Sequence, residues 1–164
     1  MSQIDVGILM GSKSDLEIMK KAKAAIEEFG LKAEMRVLSA HRTPNETVAY
    51  VESARERGIK VMIAGAGGAA HLAGVVASAT TLPVVAVPIN ASISTMDGLD
   101  SLLSMVQMPS GVPVATVAVD GAKNAGILAV QIIGATDSEI AAKLDQYKKD
   151  MAEKVLETDR SIQD

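Results

Sequence analysis

Two neighbouring side chains in this sequence are suited to acid–base and anion chemistry, His41 and Arg42. They stand between Ser39-Ala40 and Thr43, and His41 is one of 2 histidines in the chain. An imidazole can take up and release a proton near neutral pH, and a guanidinium offers a planar fork for phosphate or carboxylate. The pair predicts a site for an anionic substrate, with a solvated pair of loop residues as the alternative.

The turn at residues 11–15 (Gly-Ser-Lys-Ser-Asp) is a second candidate site. Ser14 and Glu17 have the spacing of a capping box, which predicts that a helix begins here. The free N–H groups and dipole of a helix N-terminus suit an anion. The turn does not match a Walker A loop, because the residue before Lys13 is serine rather than the required glycine. An anion site and an ordinary strand-to-helix turn are both consistent with these residues.

Residues 65–72 (Gly-Ala-Gly-Gly-Ala-Ala-His-Leu) form a third candidate. Closely spaced glycines let a backbone fold tightly around a ligand. The segment loosely resembles a dinucleotide fingerprint, but the acidic residue expected about 20 positions later is missing, so we reject a nicotinamide cofactor. His71 could act in chemistry, orient the loop or cap a packed helix.

All three segments follow short runs that are apolar on both faces, as buried parallel strands are. Helical patterns alternate with these runs. Thr43, Pro44 and Glu46 have the order of a second capping box, with proline at the first helical position. The predicted strands are 4–10, 33–38, 60–64, 84–87 and 114–117, and the predicted helices are 15–29, 44–57, 69–80, 99–106 and 121–134.

This alternation predicts an α/β fold, a three-layer αβα sandwich on a doubly wound, flavodoxin-like parallel sheet. Ligands of such sheets bind beyond the carboxyl ends of the strands, near the point where strand order reverses. The three candidate segments all fall at that edge. We therefore expect residues 11–15, 39–44 and 65–71 to form one site for a small phosphorylated substrate.

The last part of the chain predicts an amphipathic C-terminal helix over about residues 138–157 that packs on its own domain or on a neighbouring subunit. Residues 121–134 are apolar almost all round, and one small domain has few places to bury such a helix. We expect one domain over residues 1–164 and a homo-oligomer. The apolar stripe of the C-terminal helix consists of Ile140, Leu144, Tyr147, Met151 and Val155.

Composition excludes several classes of protein. The chain has no cysteine, which rules out disulfides and thiolate chemistry, and its histidines lack metal-ligand spacing, so we expect no metal. A net charge of -4 and an aromatic share of 2% argue against nucleic-acid binding. The apolar runs are short or broken, and the first residues lack the charged-then-apolar order of a signal peptide, so we expect neither a membrane span nor a signal peptide. We expect a cytoplasmic protein.

Together the three segments resemble the N5-carboxyaminoimidazole ribonucleotide mutase family of purine biosynthesis, also called the catalytic subunit of phosphoribosylaminoimidazole carboxylase. The resemblance covers nearly the whole chain, and the ordered set is more specific than any one motif. The matching sequences are Gly-Ser-Lys-Ser-Asp at 11–15, Ser-Ala-His-Arg-Thr-Pro at 39–44, Ala-Gly-Ala-Gly-Gly-Ala-Ala-His-Leu at 64–72, Asp-Ser-Leu at 100–102 and Val-Gln-Met-Pro at 106–109.

The resemblance implies a homo-octamer without metal or organic cofactor. It implies a reaction that moves a carboxyl group from an exocyclic nitrogen to a ring carbon by release and recapture of carbon dioxide. His41 would be the catalytic acid–base, Ser12 and Arg42 would bind the phosphate, and Asp15 the ribose hydroxyls. The other implied substrate-binding residues are Gly11, Ser39, Ala40, Gly67, Ala69, His71 and Leu72.

The sequence departs from the family pattern at two places. Ala73 stands where proline is common, and residues 90–96 (Asn-Ala-Ser-Ile-Ser-Thr-Met) form a longer and different segment than the usual Gln-Ser loop. Alternatives remain: a related lyase that fixes carbon dioxide directly onto aminoimidazole ribonucleotide, and a non-catalytic nucleotide- or flavin-binding module. A third, a carboxylase domain for a pyridine nucleotide, usually stands in a longer chain.

Overall fold

The computed structural model describes residues 3–163 and contains a five-stranded sheet in which every strand pair is parallel. In sequence order the strands are β1 (Val6–Met10), β2 (Ala33–Val37), β3 (Val61–Gly67), β4 (Val84–Ile89) and β5 (Ala115–Thr116). Their order across the sheet is β2-β1-β3-β4-β5. This order is that of a doubly wound, flavodoxin-like sheet, as predicted, and its direction of winding reverses between β1 and β3.

Six α-helices connect or follow the strands in the described part of the chain. They are α1 (Leu16–Glu28), α2 (Pro44–Glu52), α3 (Leu72–Ser78), α4 (Leu99–Val106), α5 (Ala122–Gly134) and α6 (Ser138–Ser161), with 3-10 turns at Lys13–Asp15 and Met96–Gly98.

Helices cover both faces of the sheet, which confirms the αβα sandwich. Apolar side chains of α1, α5 and α6 pack on one face, and those of α2, α3 and α4 pack on the other. Small residues let α1 and α5 approach closely: a Cβ added at Gly126 would lie 2.5 Å from the carbonyl oxygen of Ala22. The abundance of small apolar residues in the sequence therefore serves close helix packing.

The third strand and third helix differ from the prediction. Strand β3 continues through Gly67, whereas the prediction ended it at residue 64, and α3 begins at Leu72 rather than at residue 69. Gly65 lies in the middle of the sheet, next to Met19. A side chain at this position would collide with Met19, which accounts for the glycine. The glycines that suggested a loop are thus partly strand residues over which a helix packs closely.

Both predicted capping boxes were wrong in detail. The first box joins Ser12 and Asp15 around the 3-10 turn, rather than Ser14 and Glu17. At the second, Thr43 and Pro44 do begin α2, but the Thr43 side chain caps no helical N–H group. Its hydroxyl turns back to the preceding loop and accepts a hydrogen bond from the Ser39 amide at 2.8 Å.

The C-terminal helix is longer than predicted and only its first half packs on the rest of the chain. Ile140 is buried, and Leu144 and Tyr147 pack against the core beneath α5. From Met151 onward every described residue is exposed, Val155 at 68%. Within residues 3–163, no helix is both long enough and apolar enough to cross a membrane.

Candidate active site

The carboxyl ends of the strands border a cleft of about 500 Å³ beside the point where strand order reverses. The cleft brings together every residue that was named from the sequence as a catalytic or substrate-binding candidate. Three segments supply them, one after each of β1, β2 and β3. The predicted residues that line the cleft are Gly11, Ser12, Asp15, Ser39, Ala40, His41, Arg42, Gly67, Ala69, His71 and Leu72.

Five further residues line the cleft: two lie within the predicted segments but were not named as ligand contacts, and three lie outside those segments. Ser14 lies within the first candidate turn, and Ala66 lies at the end of β3. Ala91, Ser92 and Ile93 follow β4. Their place after a strand next to β3 was the one signal that could have identified them, since parallel strands end at the same edge.

Asp15 is buried beneath the first turn and holds its shape. Its Oδ2 accepts a hydrogen bond from the Ser12 amide at 3.2 Å, and its Oδ1 accepts one from the Ser14 hydroxyl at 3.1 Å. Burial raises the pKa of this carboxyl, although those hydrogen bonds and the charge of Arg42 oppose the effect. Asp15 is thus both a brace of the turn and a hydrogen-bonding group at the cleft.

Arg42 links the second segment to the first. One Nη2 hydrogen is donated to the Gly11 carbonyl oxygen at 2.6 Å, and Nε donates to the Ser39 hydroxyl at 3.3 Å. A guanidinium carries five N–H donors, so the others remain for a ligand in the cleft. These contacts fix the guanidinium beside the N-terminal turn of α1. A phosphate bound there would be stabilised both by the guanidinium charge and by the helix N-terminus.

The Ser39 loop is braced from below by two threonines. The Thr43 hydroxyl bonds both the amide and the carbonyl oxygen of Ser39, the latter at 3.2 Å. Thr47 is fully buried, and its hydroxyl donates to the Thr43 carbonyl oxygen at 2.8 Å. The loop that carries His41 and Arg42 is therefore rigidly tied to the start of α2.

The two histidines, 30 residues apart in sequence, meet in the cleft. Nε2 of His41 lies 2.8 Å from Nδ1 of His71, and the rings are nearly perpendicular at 84°. One nitrogen must donate and the other accept, so the contact fixes complementary tautomers of the two rings. Both rings are exposed to the cleft, and the arrangement can move a proton between the substrate and a second base.

Residues 65–71 approach the segment after β4 very closely. A Cβ at Gly67 would lie 2.5 Å from the Cβ of Ala91, so only glycine fits there. Gly68 has a φ of +62°, in the left-handed region that favours glycine. The glycines thus let the backbone reach the cleft floor while the segment after β4 passes beside it.

The family is decided by comparison with known proteins. The model of the family described as AIR carboxylase matches residues 5–154. The chain belongs to the AIR carboxylase family. That match runs from the residue before β1 into α6, so it includes all the segments that form the cleft.

Individual members of the AIR carboxylase family are similar over almost their full length. The N5-carboxyaminoimidazole ribonucleotide mutase of Pyrococcus horikoshii is 56% identical, over 97% of this chain and 89% of that protein. The enzyme of the same name from Thermotoga maritima is 59% identical, over 93% of this chain and 88% of that protein. A crystal structure of a Treponema denticola PurE2 variant is 31% identical, covers 98% of both chains and superposes with a TM-score of 0.86.

The side chains of this AIR carboxylase family member offer anion binding and proton transfer. Among the described residues no three histidine or acidic side chains cluster as metal ligands would. The cleft instead combines one guanidinium, a buried carboxyl and two touching imidazoles, from Arg42, Asp15, His41 and His71. This set suits a phosphorylated substrate from which a proton is removed.

Proposed function

We propose that this chain converts N5-carboxyaminoimidazole ribonucleotide to 4-carboxy-5-aminoimidazole ribonucleotide in purine biosynthesis, as an isomerase. The observation that carries the proposal is the contact of His41 with His71, 2.8 Å apart in a cleft that also holds Arg42. Support comes from the relatives in Pyrococcus and Thermotoga, which bear the name of this mutase and share more than half of their aligned residues with the chain.

The polar end of the cleft is the proposed site of the ribose phosphate. Arg42 and Ser12 bind the phosphate beside the turn that precedes α1, where backbone N–H groups add to the positive potential. Asp15 receives the ribose hydroxyls. The contact of Arg42 with the Gly11 carbonyl oxygen at 2.6 Å supports this arrangement, because it fixes the charge next to the turn.

The aminoimidazole then extends toward the two histidines. Cleavage of the exocyclic N–C bond releases carbon dioxide, and the nitrogen takes up a proton. The ring carbon, which is nucleophilic because the ring behaves as an enamine, attacks the same carbon dioxide and forms a C–C bond. His41 removes the proton from that carbon. Its contact with His71 lets the proton pass from one imidazole to the other.

The remaining cleft residues form the proposed carboxyl pocket. Ser39, Ala40 and the stretch from Gly67 to Leu72 surround the reacting group and keep water away from carbon dioxide and the intermediate. Neither chemical step requires an oxidant, a reductant or a nucleoside triphosphate. The proposal therefore includes no organic cofactor.

A lyase that carboxylates aminoimidazole ribonucleotide directly is the second candidate, and the description of the family favours it. One assay separates the two. The protein is given N5-carboxyaminoimidazole ribonucleotide with a chelator and no nucleotide triphosphate, and separately aminoimidazole ribonucleotide with bicarbonate. Rapid formation of the ring-carboxylated product in the first reaction supports the mutase. Product only in the second would overturn the proposal in favour of the carboxylase.

We also propose a homo-octamer of single-domain subunits. The unpartnered second half of α6 supports assembly, because Met151, Val155 and Leu156 are 43%, 68% and 51% exposed. A cytoplasmic location belongs to the same proposal, and a cysteine-free chain is compatible with a reducing compartment.

A further inference from the structure

The segment of residues 90–98, which follows β4, borders the cleft through Ala91, Ser92 and Ile93. We call it the 90–98 strap. Its three lining side chains carry no charge, in contrast to Asp15 and Arg42, which line the same cleft. It adjoins Gly67 and Gly68, which lie in the stretch proposed above to surround the carboxyl group.

Ser94 ties the strap to that end of the cleft. Its hydroxyl accepts hydrogen bonds from the Gly68 amide at 3.3 Å and the Ala91 amide at 3.0 Å. It donates its one hydrogen to the Ile89 carbonyl oxygen at 3.1 Å. The hydrogen-bonding capacity of this hydroxyl is thus well used, and all three partners belong to backbone at the edge of the cleft.

Ile93 is held at the rim by this tie. Its Cδ1 packs on Gly68, where an added Cβ would lie only 2.9 Å away. The side chain is nevertheless 75% exposed. A large apolar side chain that lines a cleft and is still exposed can gain burial when a ligand fills the cleft beneath it.

The far end of the strap is held in an uncommon conformation. Met96 and Asp97 have φ values of +48° and +54°, and Gly98 follows at +89°. Asp100 accepts a hydrogen bond from the Thr95 amide at 3.0 Å, and the hydroxyl of buried Ser101 donates to the Gly98 carbonyl oxygen at 2.8 Å. Non-glycine residues remain in the left-handed region only where their surroundings fix them, so the strap has a defined shape.

We propose that Ile93, positioned by Ser94, covers the carboxyl end of the cleft and retains carbon dioxide between its release from nitrogen and its capture by carbon. The inference rests on the mutase function proposed above. It adds a residue outside the motifs that suggested that function, in a segment where this sequence is longer than the family pattern. Ile93 acts as an apolar wall and takes no part in bond making.

The test follows the carboxyl carbon rather than the rate. The substrate is prepared with a ¹³C-labelled carboxyl group, and conversion runs in unlabelled bicarbonate, with correction for spontaneous decarboxylation. Wild-type protein should retain the label in its product. Ile93→Ala should lose at least about twofold more label to the medium, because carbon dioxide escapes before recapture. Ile93→Val should lie between the two, and Ser94→Ala should resemble Ile93→Ala.

Ile162→Ala is the matched control, since Ile162 is also highly exposed, at 77%, and lies near the end of α6 away from the cleft. It should retain label as the wild type does. If Ile93→Ala retained as much label as the wild type, whatever its rate, the proposal that Ile93 retains carbon dioxide would be disproved. The proposed mutase function would be unaffected. If wild-type protein formed no labelled product at all, the proposed function itself would fail.

Discussion

At the scale of single residues, the proposed function divides the site into an anchor for the phosphate and a proton carrier. Arg42 is the anchor, fixed by the Gly11 carbonyl oxygen and the Ser39 hydroxyl. His41, the adjacent residue in sequence, is turned toward His71 instead. The proposed function assigns these adjacent side chains to different parts of the substrate, so substitutions at the two should have separable effects.

Arg42→Ala should weaken binding of the ribonucleotide by at least about tenfold, because a charge-assisted contact with the phosphate is lost. Calorimetric titration with aminoimidazole ribonucleotide measures this directly. Arg55→Ala is the control: Arg55 is exposed and donates to the Thr81 hydroxyl at 2.9 Å, outside the cleft. Equal affinity in the Arg42 variant and the control would mean that the phosphate binds elsewhere.

At the scale of elements, the ends of β1, β2, β3 and β4 bring separate segments to one edge. The closest approach is between β3 and the strap, where Gly67 passes Ala91. A methyl group at Gly67 would also lie 2.9 Å from the Ile89 carbonyl oxygen, so β3 and the strap would have to move apart.

Gly67→Ala should therefore lower the unfolding free energy by about 1–3 kcal/mol, the range for overpacking, and reduce turnover as well. Denaturant unfolding and the conversion assay measure the two effects. Gly74→Ala is the matched control in α3, because an added Cβ there meets only Met108 at 3.5 Å. A Gly67 variant as stable and active as the control would show that this close contact does not matter.

A second cluster ties β2 to α2 away from the cleft. Glu34 accepts hydrogen bonds from Tyr50 at 2.7 Å and from Arg57. Burial alone would raise the pKa of Glu34, but these hydrogen bonds and the charges of Arg57 and Arg36 together lower it. Burial and the Glu34 carboxylate raise the pKa of Tyr50, which stays a donor.

The lowered pKa of Glu34 has a consequence for stability against acid. A depressed carboxyl pKa stabilises the folded state above the ordinary pKa, and that contribution is lost as the pH falls through the lowered value. The stability difference between wild type and Glu34→Gln should thus be present at about pH 7 and shrink by about pH 3 in urea unfolding. Glu17→Gln, at an exposed residue, is the control. A difference independent of pH would contradict this account.

The elements show what the sequence could and could not predict. Strand-to-helix alternation predicted the sheet and its edge, and helix α4 has the predicted bounds. The predicted end of β3 was wrong because Gly65 and Gly67 suggest a loop in the sequence. In the fold they are strand residues that make room for Met19 and Ala91. The contact of His41 with His71 depends on two strand ends meeting in space, and no local pattern encodes it.

At the scale of the whole molecule, the C-terminal half of α6 is exposed along its whole described length, which is the basis of the proposed assembly. Its apolar residues project from the domain, with Val155 68% exposed. The first half, by contrast, is fixed to the domain by Ile140 and by an aromatic contact between Tyr147 and Phe29, with ring centroids 5.4 Å apart. A helix anchored at one end and apolar at the other suits docking on a second copy.

The double variant Met151→Lys/Val155→Lys should dissociate the assembly into smaller species, because charge replaces the proposed apolar contact. Sedimentation velocity measures the change. Lys149→Glu, an exposed residue on the other side of α6, should leave the assembly intact. An unchanged assembly in the double variant would place the subunit contacts on another surface.

The central claim, that the cleft binds a ribonucleotide and that His41 moves its proton, is tested most directly by the turnover of His41→Asn with saturating N5-carboxyaminoimidazole ribonucleotide. We predict that turnover falls by at least about a hundredfold, the usual contribution of a positioned acid–base, while the ribonucleotide still binds through Arg42. Near-wild-type turnover in a correctly assembled His41→Asn variant would contradict the account and remove His41 from the mechanism.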